Sequence, residues 1–225
     1  MVEILYKTKN AVVIYKEPGI PSQSDPTGDP DAMALTSQEL KALGENSDLW
    51  LIHRLDRVVG GLLVFARNKK YAALLSEYVK DRLLTKEYYA VVDGELTDAT
   101  LENFIYKDAR AGKAFIIDRA RNGANQARLS YRTLGTVDTE KGKKSLIYVT
   151  LDTGRFHQIR AQLSHVGNPI TGDGKYGSHD NRAKKIALMS SHLSANCPGE
   201  KIDVSRLPDL EMYPWSLFTP ETYNL

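Results

Sequence analysis

A carboxylate stands among cations at Ile52-His53-Arg54-Leu55-Asp56-Arg57, and a Gly60-Gly61 pair and an apolar run, Leu62 to Ala66, follow at once. A carboxylate against apolar core is costly to desolvate unless a cation answers it, and Arg54 and Arg57 flank Asp56 in sequence. Such a group can attack as a nucleophile, stabilise positive charge on a neighbouring carbon, or take a proton. The glycines permit close approaches that a side chain would block, so this loop is expected to lie tight under a ligand. A second polar stretch, Gly154-Arg155-Phe156-His157-Gln158-Ile159-Arg160, sits at the start of an expected helix with Phe156, Ile159 and Leu163 on one face. Arg160, next to Ile159, is placed at the margin of the core.

The elements that must carry these residues are mostly strands. Residues 3–15 hold two apolar runs around a polar KTKN, as in a hairpin, and the Pro-Gly pair at 18–19 stops them. Residues 22–31 form a polar loop, and 36–44 a short helix with Thr36 and Glu39 at capping-box spacing and Gly44 at its end. A strand over 49–52 leads into the Asp56 loop, the apolar run after it reads as a buried strand, and 69–83 has helical period. In 85–94 alternation sets Lys86, Tyr88, Ala90 and Val92 on one face and Glu87, Tyr89 and Val91 on the other, without deciding which tyrosine faces a site. Residues 95–128 are polar, basic and weakly periodic. Strands follow over 129–134 and 145–151, with a further short one over 184–188. The pattern is that of a mixed α/β (α+β) chain with a central, mostly antiparallel sheet and flanking helices.

The single cysteine, Cys197, excludes an internal disulfide and a cysteine-based metal site, and the two histidines near the motifs lack the partners of a metal centre. No apolar run approaches a membrane span and no signal pattern opens the chain, so a cytoplasmic protein without a membrane partner is expected. Net charge is only +2, but residues 107–128 hold six Lys or Arg against two acids, a one-sided distribution suited to a polyanion.

Together, HRLDRVVGGLLVFARN at 53–68 and GRFHQIRAQLSHVGNPITGDGKYG at 154–177 resemble the RluA-type pseudouridine synthases. The opening ILYKTKNAVVIYKEPGIP and the Lys86 and Tyr88 of KEYYAVVDG extend the resemblance over about residues 3–195. It implies the pseudouridine synthase fold in one catalytic domain over 1–225, acting on structured RNA, transfer or ribosomal, without metal or cofactor and as a monomer. It implies that Asp56 is the catalytic residue, that Tyr88 stacks on the target base and abstracts a proton, and that Arg160 pairs with the aspartate. Arg54 would help hold the RNA where the flipped nucleotide has left. His53, Lys86, Arg155, His157 and Gln158 join it as expected substrate contacts. Uridine becomes pseudouridine when the C1′–N1 bond breaks, the uracil rotates and C5 joins C1′, and the base must first be extruded from the RNA.

Two departures from the family pattern bear on this. Val59-Gly60 stands where relatives have Thr-Ser, and Ala187-Leu188-Met189-Ser190 replaces the usual ALHA. The resemblance also begins almost at Met1, so the small N-terminal RNA-binding module of many relatives is expected to be absent, and the basic 107–128 segment to grip RNA in its place. The competing readings are an RNA-binding or RNA-folding protein that has lost turnover, and a glycoside hydrolase with paired carboxylates. The second lacks a second acid beside Asp56.

Overall fold

The computed structural model describes residues 2–223. In chain order the elements are β1 (Val2–Lys7), β2 (Ala11–Lys16), α1 (Ala32–Ala42), β3 (Trp50–Leu51), β4 (Gly60–Ala66) and α2 (Lys69–Lys80). Then come β5 (Thr85–Asp93), β6 (Ala99–Asp108), β7 (Lys113–Ile117), β8 (Ala124–Thr139), β9 (Gly142–Leu151), α3 (Gln158–His165), β10 (Leu188–Cys197) and β11 (Glu200–Ser205). The chain divides into two compact units, residues 1–86 with 189–206, and residues 87–188 with 207–225.

The first unit is built on β4, buried along all seven of its residues because each face meets other chain. Strand β2 runs antiparallel along it from Ala11↔Ala66 to Lys16↔Gly61, with β1 outside β2 and β3 against the far end of β4. Strand β10 pairs parallel with β4 at Met189↔Gly60 and Ser190↔Gly61, and carries β11 antiparallel. Helix α2 turns Tyr71 and Leu75 into a core with Val13, Leu62, Val64, Leu193 and Ile202. Its start is fixed by the Asn68 side chain, which accepts from the Tyr71 amide at 2.9 Å, a cap that offsets one orphan donor of the first turn.

The second unit is an antiparallel sheet in the order β5, β9, β8, β6, β7. The polar 95–128 stretch, weakly periodic in sequence, forms the β6–β7 hairpin and the start of β8. Helix α3 lies on it, with Ala161 packed among Ile105, Ala114, Ala127 and Tyr176. The C-terminal segment is pinned by Tyr89, whose hydroxyl donates to Tyr223 O at 2.7 Å and whose ring meets Tyr148 and Tyr223 edge to face. Tyr89 is thereby a core anchor.

Three expectations shift. Helix α1 starts at Ala32 rather than after Thr36, because Asp31 is the cap, accepting from Ala34 N at 2.8 Å, while the buried Thr36 hydroxyl donates back to Ala32 O at 2.6 Å inside the helix. Helix α3 starts at Gln158. His157 precedes it in a left-handed conformation (φ 51°) that gives no side-chain cap. Residues 184–187 form no strand; the strand begins at Leu188 and runs on to Cys197.

Candidate active site

The Asp56 loop is held from both sides by the segment that follows β2. The Leu55 amide donates to Ser22 Oγ at 3.0 Å and the Ser22 hydroxyl donates to Leu55 O at 2.8 Å, so one side chain fixes both polar groups of that residue. On the other side, Arg57 O accepts from the Gly19 amide at 2.7 Å and from Lys16 Nζ at 3.4 Å. The Val59 amide closes a turn onto Asp56 O at 3.0 Å. Outside, the Arg57 guanidinium donates to Thr27 Oγ1 at 2.9 Å and pairs with Asp29, with Asp25 at 3.5 Å. Exposed pairs of this kind add little stability, so the buried bonds are what hold the loop.

Lys16 is fully buried, and its ammonium is solvated by backbone, donating to Ile20 O at 2.7 Å and Glu17 O at 3.3 Å besides Arg57 O. Burial pushes its pKa down to about 8, and the negative charges of Asp56 and Glu17 oppose that shift. Asp56 thus has a buried cation within electrostatic reach in its own unit. A lysine ending the apolar run AVVIY was the sequence signal for it, since a buried lysine is rare without a task.

Gly61 has φ +121°, and a Cβ there would meet Ser190 O at 2.2 Å. The Gly60-Gly61 pair is therefore required by the close approach of β10 and of Pro18, at 2.8 Å from a Cβ on Gly60. Among the other residues singled out in this unit, Arg54 is exposed. His53 accepts the Val64 amide on Nε2 at 3.3 Å, and burial, with Lys86 adding to it, lowers its pKa to about 3. It is a neutral ring fastened to β4. Lys86 is buried, and burial lowers its pKa as well.

In the second unit Tyr88 is buried on β5. Arg160 lies in the core rather than at its margin, because Asp173 answers it. Nε donates to Oδ2 at 2.7 Å and Nη2 to Oδ1 at 2.9 Å, with both side chains at most 5 % exposed. This is the fork-to-fork geometry that fixes a guanidinium in one plane. Tyr176 packs its ring 4.9 Å from the Arg160 guanidinium, and its hydroxyl accepts from the Ala114 amide at 2.8 Å and meets His157 Nδ1 at 3.0 Å. His157 also stacks on Phe156 with ring centroids 3.8 Å apart. Burial first, then the charges of Arg160, Lys175 and Lys107, lower its pKa to about 3, so it is neutral near pH 7.

Gln158 ties the turn before α3. Its Oε1 accepts from Thr153 Oγ1 at 2.8 Å and the Arg155 amide at 3.0 Å, while its Nε2 donates to Arg128 O at 3.1 Å. Arg155 is exposed, with Nε donating to Gln126 O at 3.0 Å. Asp173 and Tyr176 were not picked out from the sequence. They sit in the turn-rich ITGDGKYG run, where nothing local marks a buried partner for an arginine on the preceding helix. Among the described residues no group of His, Cys, Asp or Glu is placed to hold a metal ion, and no helix is long and apolar enough to cross a membrane.

A family model described as RNA pseudouridylate synthase matches residues 10–165. The chain is 30% identical over 196 residues to the ribosomal large subunit pseudouridine synthase D of Borreliella burgdorferi, covering 84% of this chain and 58% of that one. It is 32% identical over 187 residues to the tRNA pseudouridine synthase C of Haemophilus ducreyi, covering 73% and 74%. The chain thus spans 58% to 66% of the length of the first three curated relatives it matches. Among solved structures, human RNA pseudouridylate synthase domain containing 1 superposes with a TM-score of 0.76 over 96% of this chain and 86% of that one, at 22% identity, which shows the fold. Human RNA pseudouridylate synthase domain containing 4 gives 0.74 over 91% and 88%, at 24% identity. The mixed α/β, mostly antiparallel pseudouridine synthase fold expected from the sequence is therefore the fold observed, and the chain belongs to the RNA pseudouridylate synthase family, in its RluA-type branch.

Proposed function

We propose that the chain, read as one catalytic domain, isomerises specific uridines of structured RNA to pseudouridine, with Asp56 as the catalytic carboxylate. The observation that carries this reading is the Asp56 loop. Both neighbouring residues are fixed by buried backbone bonds, and a fully buried lysine lies close enough to feel the carboxylate's charge. A group held this way needs little reorganisation when charge develops at C1′, which is where electrostatic catalysis is strongest.

Tyr88 is proposed to stack on the extruded uracil and to take the C5 proton, and Arg160 to be the cation that keeps the carboxylate ionised, its plane set by Asp173. Arg54 and Arg155, both exposed, are the proposed contacts to the RNA around the vacated position. His53, Lys86, His157 and Gln158 are proposed as further substrate contacts, each held within its own unit by burial or hydrogen bonds. The named activities of the relatives make transfer and ribosomal RNA the substrate classes to test.

The β6–β7 hairpin and the start of β8 are proposed to grip RNA through phosphate contacts. Cations there lie over aromatic rings, Lys107 4.7 Å from the Phe156 centroid and Arg121 4.1 Å from that of Tyr106, and Phe115 is exposed beside Lys113. Such a surface offers both charge and stacking to unpaired nucleotides. Substituting Arg110, Lys113, Arg119 and Arg121 together by Gln is expected to weaken RNA binding and flatten its salt dependence; unchanged affinity and slope would remove the hairpin from the interface.

The test of the function is pseudouridine mapping in transfer and ribosomal RNA from cells lacking the gene, complemented with wild type or with Asp56→Ala. Loss of one modified site, restored by wild type and not by the variant, is the expected result. Restoration by Asp56→Ala would contradict the assignment, and an unchanged map joined to retained RNA binding would favour a binder without turnover.

A further inference from the structure

We propose that the first unit carries a second RNA site, for the phosphodiester backbone, at the end of β4 away from the Asp56 loop, formed by Lys9, Arg67, Lys69 and Lys70. The proposal rests on the reading of the chain as an RNA-modifying enzyme and adds where it holds substrate remote from the reacting nucleotide. Strand β4 begins at Gly60, just after the Asp56 turn, and ends at Ala66, which carries the chain about 20 Å at the usual rise per residue. Arg67 follows directly. An RNA that delivers a uridine to Asp56 can therefore run its backbone, several nucleotides along, over this end.

A pocket of about 450 Å³ opens there, lined by Lys7, Thr8, Lys9, Glu45, Asn46 and Arg67. Arg67 is 8 % exposed and bound largely by backbone. Nη1 donates to Thr8 O at 2.7 Å, and Nη2 to Asn46 O at 3.0 Å and Glu45 Oε2 at 2.8 Å. Its Nε has no hydrogen-bond partner among the described residues. Glu45 is shared between Arg67 and Lys7, so one carboxylate faces three cations in the lining. The nearby Glu200 is occupied by Thr8 Oγ1 at 2.7 Å, Asn10 Nδ2 at 2.9 Å and the Tyr6 hydroxyl at 3.1 Å.

The start of α2 lies against the same corner, since Asn68 Nδ2 donates to Asn10 Oδ1 at 3.2 Å. This twelve-residue helix has no acid in its first turn, and its exposed Lys69 and Lys70 follow the cap. Lys9, Lys69 and Lys70 make no ion pair among the described residues. A pocket with an arginine held rigidly by backbone carbonyls, the start of a helix without acids and three exposed lysines on two different segments favour an extended polyanion. An ordinary solvated face would have its lysines answered by acids at the same density, and here the acids are already taken.

The test uses the full chain with Lys9→Gln, Lys69→Gln and Lys70→Gln combined, and the charge-preserving set Lys9→Arg, Lys69→Arg and Lys70→Arg as control. Binding is read by fluorescence anisotropy on a labelled full-length, unmodified transfer-RNA transcript and on a stem-loop cut down to the nucleotides around one uridine. Backbone contacts of this kind are independent of sequence, so any structured RNA is a valid probe. The Gln set is expected to bind the long RNA roughly tenfold more weakly at about 0.1 M salt, with the log–log salt slope reduced by roughly two, while the stem-loop is bound as by wild type. The Arg set should match wild type on both. Equal affinity of the Gln set and wild type for the long RNA, or equal weakening on both RNAs, would overturn the distal site. An unchanged pseudouridine map of transfer and ribosomal RNA in cells lacking the gene, alongside the expected binding pattern, would sink the enzymatic reading and leave the site standing.

Discussion

Asp56 and Arg160 are both ionisable side chains set against core, yet the chain holds them by different means. Asp56 sits on a loop secured through its neighbours, Leu55 by Ser22 and Arg57 O by Gly19 and Lys16. Arg160 sits on a helix and is secured through its own guanidinium, by the two-pronged bond to Asp173 under the ring of Tyr176. The first arrangement places a reactive group through the backbone of the residues on either side of it. The second fixes a cation and neutralises the cost of burying it. Damage to the first should therefore appear mainly in turnover, and damage to the second mainly in stability.

The largest effect is expected at Asp173. Asp173→Asn keeps the shape and removes the charge that answers a buried guanidinium, so unfolding free energy should fall by about 3–5 kcal/mol. Denaturant titration checks it. A loss under about 1 kcal/mol would mean that Arg160 does not depend on Asp173, and the contrast between the two halves would collapse.

A smaller and differently shaped effect is expected at Lys16. Lys16→Met removes the buried ammonium from three carbonyls and from the field at Asp56, and should lower kcat roughly tenfold with KM for RNA little changed. The pH dependence sharpens this. Burial holds the Lys16 pKa at about 8, below its value in an unfolded chain, so between these two values the unfolded state binds more protons and wild-type stability rises with pH. Turnover should move the opposite way, falling above about pH 8 as the ammonium is lost. Lys16→Met should lack both limbs. A variant that retained the alkaline fall in kcat would assign it to another group.

How much of this could be read from the residues follows from where each signal resides. The buried β4, the α2 helix and the antiparallel character of the sheet were legible because period and composition are local. Asp56 and Arg160 were singled out because the two polar stretches resemble a family. What was not legible involves partners far apart in sequence. Asp173 pairs across a turn with no periodicity, Ser22 reaches Leu55 across 33 residues, and Gly61 is required by the backbone of Ser190 on a strand that the sequence reading began too early. The start of α1 was misplaced for a related reason, since Thr36 has the chemistry of a cap but spends its hydroxyl inside the helix on Ala32 O. The basic 107–128 segment hid two strands because an antiparallel hairpin with exposed cations has little apolar alternation to show.

The most direct test of the central claim is turnover by purified Asp56→Asn beside wild type, on an RNA whose modified uridine has been mapped, read as tritium released from C5-labelled uridine. Asparagine preserves the size of the side chain and leaves the bonds at Leu55 and Arg57 in place. The account predicts retained RNA binding with turnover lowered at least about a thousandfold. Turnover within about tenfold of wild type would contradict it, because the chemistry would then not depend on the carboxylate that the loop is built to hold.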